Sequence, residues 1–151
     1  MSLDLINDRD EIEDLNIIET LKKVKTIALI GASSKPERDS YKVMAFLISE
    51  GYQVFPVNPL LEGTTLLNRE VYGCIGDIPS PIDMIDVFRQ SKYLYDIVLE
   101  AKQANIPHIW TQLGVTEVKS ELLALENGIN IIVNRCPAIE IPRLNLALKV
   151  D

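Results

Sequence analysis

The feature that most limits the possible folds of this 151-residue chain is a set of five short apolar runs. Segments with helical patterns separate these runs. Each run is too short for a helix and suits a strand buried on both faces. The runs are TIALIG at 26–31, QVFPVNP at 53–59, DMIDVF at 83–88, PHIWTQL at 107–113 and INIIVN at 129–134. Strands that alternate with helices join by right-handed crossovers into a mostly parallel sheet. The sequence therefore predicts a single doubly wound α/β domain over residues 1–151, with a mostly parallel five-stranded sheet.

Helical periodicity fills most of the gaps between these runs. Apolar residues recur at helical spacing over 40–52, 92–105 and 116–128, and Gly51 and Gly128 close two of these segments. Residues 60–82 hold glycines and prolines without a sustained period. We therefore expect mainly a loop there, with one short turn.

The segment before the first apolar run, residues 1–23, is predicted to be a helix that packs on the domain. Asp10 and Glu13 have the spacing of a capping box, which marks a helix start. An apolar stripe of helical period follows, made of Ile12, Leu15, Ile17, Ile18 and Leu21.

Composition excludes several classes of function. A net charge of −7 argues against generic binding to nucleic acid or to an anionic membrane, both of which need a basic face. No apolar run approaches the ~20 residues of a membrane-spanning helix, and the acidic start is unlike a signal or transit peptide. Cys74 and Cys136 lie far apart in sequence, which suggests neither a structural zinc site nor a disulfide framework. We expect a cytoplasmic protein without a metal.

The loop after the first apolar run has the residues of a phosphate-binding turn. Gly31 permits a tight turn and the close approach of a phosphate. Ala32, Ser33 and Ser34 are small enough for their backbone N–H groups to face an anion. Ligands of doubly wound sheets bind beyond the carboxyl ends of the strands, which is where this loop would lie.

The start of the next helix adds positive charge to this loop. Either Asp39 or Ser40 is expected to cap that helix, whose N-terminal end attracts anions. Three cations lie nearby in a chain that is acidic overall: Lys35, Arg38 and Lys42. The loop and the helix start together favour phosphate binding over a merely solvated basic stretch.

An ordinary dinucleotide site fits these residues poorly. The second glycine of the G-x-G-x-x-G pattern is missing, and Pro36 interrupts the loop. The second apolar run ends in Asn58, where an NAD site has an acid that accepts the ribose hydroxyls. An NAD(P)-dependent oxidoreductase stays the alternative from another functional class.

Five segments in this order resemble a known family. They are IALIGASSKPERDSYKV, GYQVFPVNP, DMIDVFRQS, WTQLGV and NRCPAIEIPRL, which together cover roughly residues 24–145. The combination is similar to the small stand-alone CoA-binding proteins, whose Rossmann-like domain resembles the CoA-binding domain of the succinyl-CoA synthetase α subunit. The resemblance implies coenzyme A or an acyl-CoA as the ligand.

The resemblance also implies where the phosphates of CoA are held. They are expected at the loop residues Gly31, Ala32, Ser33, Ser34 and Lys35. It leaves open whether Arg38 or Lys42 reaches the 3′-phosphate. Tyr41 would stand near the same crevice or would pack as a half-buried aromatic residue.

The resemblance also implies ligand contacts for residues at the ends of the later strands. Asn58 and Pro59 are expected beside the adenosine, and Phe88 against the adenine or the pantetheine arm. Arg89 is expected to pair with a phosphate, and Gln112 to flank CoA. Cys136, in NRCP, corresponds to a segment that approaches the thiol end of CoA, so it is either a small buried residue or a partner for a mixed disulfide. Arg135 beside it would lower the pKa of the thiol if it were close enough.

The residues do not suggest catalysis by this chain alone. Ligases related to the synthetase act through a phosphorylated histidine and a separate nucleotide-grasping unit. His108 is the only histidine, and it stands at the start of its predicted strand, away from the crevice. We expect a non-catalytic CoA-binding carrier, sensor or regulator, as a homo-oligomer or with a ligase partner. An accessory subunit of an acyl-CoA ligase, or a scaffold that has lost its ligand, stays open.

Overall fold

A computed structural model describes residues 3–146 of the chain, in which helices and strands alternate. Within these residues the helices are α1 (Leu3–Lys23), α2 (Asp39–Ser49), α3 (Leu94–Gln103), α4 (Val118–Glu126) and α5 (Pro137–Arg143). The strands are β1 (Thr26–Ile30), β2 (Gln53–Val57), β3 (Thr65–Leu66), β4 (Arg69–Glu70), β5 (Met84–Val87), β6 (His108–Thr111) and β7 (Asn130–Ile132). Short 3-10 turns occur at Pro59–Leu61, Ile75–Asp77 and Ser91–Tyr93.

Five strands form the central sheet in the order β2-β1-β5-β6-β7, and every neighbouring pair is parallel. The predicted five-stranded sheet and the doubly wound, Rossmann-like fold are therefore confirmed. The chain runs from β1 outward to β2 and then crosses back to β5 on the other side of β1. The strand order thus reverses between β1 and β5, which sets the position of the candidate site.

Both faces of the sheet are covered, which explains why the strands are apolar without alternation. Along β1, Ile27 and Leu29 pack against α1, α2 and α5, whereas Ala28 and Ile30 pack against α3 and α4. All four side chains are buried. Successive residues of a strand face opposite sides, so an apolar run of this length needs a helical layer on each face.

Helix α1 begins earlier than its capping pattern predicts. It starts at Leu3, within the predicted segment 1–23, so Asp10 and Glu13 lie inside the helix and their interpretation as a capping box is wrong. No glycine or proline interrupts residues 3–23, and acidic residues alone do not end a helix. The predicted end at Lys23 agrees with the structure.

The buried face of α1 also differs from the predicted stripe. Ile17 and Leu21 are fully buried, but Ile12 and Leu15 are 67% and 57% exposed. Hydrogen bonds to Asn130 of β7 hold the helix in this rotation: the Asn16 amide donates to Asn130 Oδ1 at 3.1 Å, and Asn130 Nδ2 donates to Thr20 Oγ1 at 2.9 Å. These polar contacts are invisible to an argument from apolar spacing.

Two elements were not expected from the sequence. Strands β3 and β4 form a small antiparallel hairpin within the segment predicted to be mainly loop. Its turn residues Leu67 and Asn68 both have positive φ, as a two-residue type I′ hairpin turn demands, but neither is the glycine that usually signals such a turn. Helix α5 begins with Pro137 at its first turn, where proline fits, and contains a second proline, Pro142.

Candidate functional site

The reversal of strand order brings the carboxyl ends of β1 and β5 together. In open α/β sheets, ligands bind in the crevice at such a switch point. The backbone N–H of Phe88, just after β5, donates to the carbonyl of Ile30 at the end of β1, at 2.8 Å. Three clefts open at this end of the sheet.

The first cleft has a volume of about 510 Å³ and lies against the loop after β1. It is lined by the predicted residues Gly31, Ala32, Ser33, Ser34, Lys35, Arg38, Asn58 and Phe88. The remaining lining residues are Asp39, Ser40, Leu60 and Leu61. Of the two cations left open for the 3′-phosphate, Arg38 lines this cleft and Lys42 does not.

The second and third clefts adjoin the first. The second, of about 550 Å³, shares Asp39 and Phe88 with the first; it is further lined by Lys42, Val43, Arg89, Gln90, Gln112, Leu113, Gly114, Val115, Cys136 and Ile139. The third, of about 410 Å³, is lined by Gly31, Val57, Asn58, Pro59, Leu60 and Arg89. The structure thus brings every predicted site residue except Tyr41 to one of these clefts.

Gly31 is required by the protein's own backbone. Its φ is +90°, and an added Cβ would lie 2.2 Å from the carbonyl oxygen of Phe88. Gly31 was expected to allow the close approach of a phosphate. The group that approaches it in the structure is the backbone of Phe88, just after β5. A ligand is not needed to explain the glycine.

Fewer backbone donors face the first cleft than the sequence predicts. The N–H groups of Gly31 and Ala32 both donate to the carbonyl of Val57, at 3.1 and 3.3 Å. The expectation that the Ala32 N–H faces an anion is therefore wrong, because this donor joins the loop to β2. The N–H groups of Ser33 and Ser34 have no acceptor among residues 3–146.

The N-terminus of α2 opens onto the first cleft without a side-chain cap. Arg38 occupies the N-cap position and makes no capping hydrogen bond, so the predicted cap at Asp39 or Ser40 is wrong. The first bond of the helix runs from the Lys42 N–H to the Arg38 carbonyl at 3.1 Å. The free N–H groups of the first turn and the helix dipole therefore add positive potential to the cleft that Lys35 also lines.

Asn58 holds the loop after β1 in place with both ends of its amide. Its Nδ2 donates to the Ala32 carbonyl at 2.8 Å, and its Oδ1 accepts from the Leu60 N–H at 2.9 Å. The side chain lines the first and third clefts, but it is already engaged on both sides. It therefore shapes the cleft more than it offers free hydrogen-bonding groups.

Arg89 stands between the second and third clefts. Its guanidinium carbon lies 4.1 Å from the centre of the Tyr93 ring, which is a cation–π contact. This contact holds the long side chain beside the candidate site while leaving its donors available.

A buried carboxyl group lies next to the second cleft. Asp86, in β5, is fully buried and accepts one hydrogen bond, from Gln112 Nε2 to Oδ1 at 2.9 Å. Burial raises the pKa of Asp86 to about 7, and the bond from Gln112 only partly offsets this. Oδ2 has no partner within the described residues. Asp86 was not predicted as a site residue, although an acid inside the apolar run MIDVF is a visible signal.

Cys136 lines the second cleft but is not activated as a nucleophile. Burial raises the pKa of its thiol, and the carboxyl groups of Asp86 and Asp39 raise it further. The predicted lowering by Arg135 is wrong, because that guanidinium is paired with Glu13 and with Glu140, each at 2.6 Å. The side chain is a half-buried neutral thiol at neutral pH.

Tyr41 and His108 have structural surroundings. Tyr41 packs against the core on the α2 side of the sheet and lines none of the three clefts. His108 is buried at the amino end of β6, where Nδ1 lies 3.1 Å from Asn130 Nδ2. Burial lowers the pKa of His108, so the ring is neutral at pH 7.

The described part of the chain holds neither a candidate metal cluster nor a helix suited to cross a membrane. Among residues 3–146, no three His, Cys, Asp or Glu side chains gather in a way that would hold a metal ion. None of the helices in that stretch combines the length and the hydropathy that crossing a bilayer requires.

Leu60 and Leu61, which line the first cleft, were not predicted, because sequence gives no sign that a loop leucine faces a ligand cleft.

Comparison with known proteins gives relatives of two kinds. An uncharacterized protein of Bacillus subtilis, YneT, is 31% identical over 120 residues, which are 80% of this chain and 87% of that protein. The alpha subunit of an ADP-forming acetate–CoA ligase from Pyrococcus furiosus is 32% identical over 94 residues. Those residues are 59% of this chain but only 20% of the ligase subunit.

A solved structure and a family profile agree with these relatives. A hypothetical protein from Pyrococcus horikoshii OT3 is 38% identical and superposes with a TM-score of 0.82, covering 88% of this chain and 92% of that one. The profile of the CoA binding domain matches residues 25–142. That stretch holds all the strands described above and the loops that line the three clefts. The chain belongs to the CoA binding domain family.

Proposed function

We propose that this protein binds coenzyme A or an acyl-CoA at the switch point, with the phosphates in the first cleft, and that it does so without catalysing a reaction. One observation carries the proposal: the uncapped N-terminus of α2 opens onto a cleft that Lys35 and Arg38 also line. Free N–H groups, a helix dipole and two cations form an anion site in a chain whose net charge is −7.

The adjoining clefts suit the rest of such a ligand. Coenzyme A joins a phosphorylated adenosine to a long arm that is mostly apolar and carries two amide groups. Phe88 borders both the first and the second cleft, so a ligand held by its phosphates in the first reaches the second by passing this ring. Val43, Leu113 and Ile139 give the second cleft the apolar walls that the arm needs.

The same geometry disfavours a nicotinamide dinucleotide. An NAD site uses a carboxylate at the end of the second strand for the ribose hydroxyls. Here Asn58 stands at that place, and both ends of its amide are bonded within the protein.

Calorimetric titration tests the binding proposal directly. Coenzyme A, acetyl-CoA, NADH and NADPH would each be titrated into the protein after any co-purified ligand has been removed. We expect the two CoA compounds to bind at least tenfold more tightly than the dinucleotides, a difference of about 1.4 kcal/mol. NADPH binding tightly without any CoA binding would instead favour the oxidoreductase alternative.

The non-catalytic part of the proposal needs its own measurement. Its support is that the chain's histidine, His108, lies at the amino ends of the strands and that the Cys136 thiol has a raised pKa. We expect no release of free CoA thiol when acetyl-CoA is incubated with the protein, with or without ADP and phosphate. Thiol release above the protein-free rate would show that the protein is an enzyme.

Membership of a ligase is the second candidate function. The similarity to the acetate–CoA ligase alpha subunit favours it, although this chain spans 20% of that subunit. Affinity purification from cell extract, with and without CoA, tests it. Stoichiometric recovery of a nucleotide-grasping protein would support a ligase subunit, whereas a protein that elutes alone or as a homo-oligomer supports a stand-alone role. The cytoplasmic location stays a prediction.

A further inference from the structure

Asp86 occupies a place where a carboxyl group is costly. In the sheet it stands level with Leu29 of β1 and Trp110 of β6, both of which are fully buried. One of its oxygens is bonded only to Gln112, and the other has no partner within residues 3–146. A buried polar atom without a partner destabilises a fold, so the residue calls for an explanation other than stability.

Its one partner, Gln112, lines the second cleft. Gln112 follows β6 directly and is 7% exposed, and its backbone N–H donates to the Val87 carbonyl at 3.3 Å. The amide nitrogen Nε2 is used by Asp86, so the carbonyl oxygen Oε1 is directed elsewhere. Oε1 has no hydrogen-bond partner among the described residues, yet it is not one of their fully buried unpaired atoms, so it keeps contact with the cleft.

We propose that Asp86 is a positioning residue: its Oδ1 fixes the amide of Gln112 so that Oε1 faces the second cleft as a hydrogen-bond acceptor for an N–H group in the arm of a CoA-type ligand. A glutamine amide otherwise presents its NH₂ or its carbonyl with similar ease, because the two ends have nearly the same shape. When Asp86 is ionised, its carboxylate oxygen accepts only from the NH₂ end, which removes this ambiguity. The inference rests on the proposed binding of CoA and adds the group that recognises the arm.

The test separates the arm of the ligand from its phosphates. Coenzyme A and 3′-phosphoadenosine 5′-diphosphate carry the same phosphates, but only the first has the amide-containing arm. Affinities for both would be measured by calorimetry at pH 8, where Asp86 is mostly ionised, for the wild type and for Asp86→Ala, Asp86→Asn and Gln112→Leu. Gln103→Leu, at the exposed end of α3, is the matched control for removal of a glutamine amide.

We expect Asp86→Ala and Gln112→Leu to weaken CoA binding by about fivefold, the usual effect of one neutral hydrogen bond. Binding of 3′-phosphoadenosine 5′-diphosphate should change by less than about twofold. Asp86→Asn keeps an acceptor at Oδ1 but adds an NH₂ group that can bond the carbonyl end of the Gln112 amide, so it should recover only part of the CoA affinity that Asp86→Ala loses. Gln103→Leu should change neither affinity.

Several results would overturn the inference. Equal losses for both ligands would point to a general disturbance of the site, and unchanged CoA affinity would remove the pair from recognition. An Asp86→Asn variant that binds CoA as tightly as the wild type would show that an acceptor-only partner is not needed to orient Gln112. If Asp86→Ala does not fold, Gln112→Leu gives the same contrast between ligands. A wild type that binds neither ligand would refute the proposed function itself, and this inference with it.

A readout without ligand tests the positioning role separately. In ¹⁵N–¹H spectra, the side-chain amide of Gln112 should show one proton protected from exchange in the wild type. Asp86→Ala should remove this protection while the signals of Gln103 stay unchanged. Protection that persists in Asp86→Ala would show that something other than Asp86 holds the amide.

Discussion

Gly31 lies where the end of β1 meets the backbone that follows β5, and this contact leaves no space for a side chain. We predict that Gly31→Ala destabilises the fold by about 3 kcal/mol or more, since it adds a clash with Phe88 to the cost of a positive φ. Gly63→Ala is the matched control: its φ is +81°, and an added Cβ meets nothing within 4 Å. It should cost about 1 kcal/mol. Urea unfolding measures both, and equal losses would contradict the role of the contact.

Lys35 is the flexible charge beside the first cleft. We predict that Lys35→Ala weakens CoA binding by roughly tenfold or more without changing the unfolding midpoint, because a charge-assisted contact to phosphate contributes about 1.5–3 kcal/mol. Lys102→Ala, on α3 and away from the three clefts, should leave the affinity unchanged. Calorimetry with CoA decides the matter, and an affinity equal to that of the wild type would remove Lys35 from the site.

At the scale of elements, α1 is fastened to α5 through a charged cluster. Glu140 is 3% exposed and accepts from Arg135 Nη1 at 2.6 Å and from Arg143 Nε at 2.9 Å. The two arginines reach on to Glu13 and Asp14 of α1, each at 2.6 Å. The buried carboxylate thus orients both cations toward the N-terminal helix.

We predict that Glu140→Gln lowers the free energy of unfolding by about 2 kcal/mol. This is below the 3–5 kcal/mol typical of a fully buried pair, because both guanidinium groups keep some contact with water. Glu13→Gln removes a half-exposed carboxylate from the same cluster and should cost about 0.5 kcal/mol. Both are measured by urea unfolding at low salt, and similar losses would mean that burial does not set the strength of these pairs.

The strands of the central sheet were predictable because a strand covered on both faces needs an unbroken apolar run, and each such run was present. Features that depend on turn conformation or on polar contacts could not be predicted in this way. The β3–β4 turn uses Leu67 and Asn68 in a conformation that usually calls for glycine. The rotation of α1 depends on amide contacts to Asn130, which no apolar pattern records.

For the molecule as a whole, Asp86 links stability to pH. The folded state raises the pKa of Asp86 from 3.8 to about 7, so between about pH 4 and pH 7 the native protein holds a proton that the unfolded chain releases. This group therefore stabilises the fold less as pH rises through that window. The effect of a three-unit shift is at most about 4 kcal/mol.

We predict that Asp86→Asn is more stable than the wild type at pH 8 and loses this advantage toward pH 4. The neutral amide keeps the acceptor for Gln112 and carries no charge at any pH. The quantity to compare is the difference in stability between Asp86→Asn and the wild type at each pH. His108 has a lowered pKa, so its contribution to the stability of both proteins rises with pH and cancels in this difference. Unfolding midpoints in urea from pH 4 to pH 8 measure it. A difference that does not change with pH would show that Asp86 is not titrating in this range.

Much of the candidate site could be predicted because the carboxyl ends of parallel strands all lie at the same edge of the sheet. From the sequence alone, that rule predicts that Gly31, Asn58, Phe88 and Gln112 lie close together. It could not tell which donors are already engaged, because the bonds of the Asn58 amide and of the Ala32 N–H depend on how the loops close. Nor could it find the pairing of Asp86 with Gln112, which spans 26 residues of sequence.

The fastening of α1 to β7 and α5 has a consequence for how the chain folds during synthesis. The contacts of Asn16, Glu13 and Asp14 join residues 114, 122 and 129 positions apart. When α1 leaves the ribosome, its docking partners have not yet been made, and its apolar side has nothing of its own chain to cover it. Helix α1 can therefore dock only after residues 130–143 have been synthesised, and a product that stalls before them would carry an undocked helix that quality-control proteases can recognise.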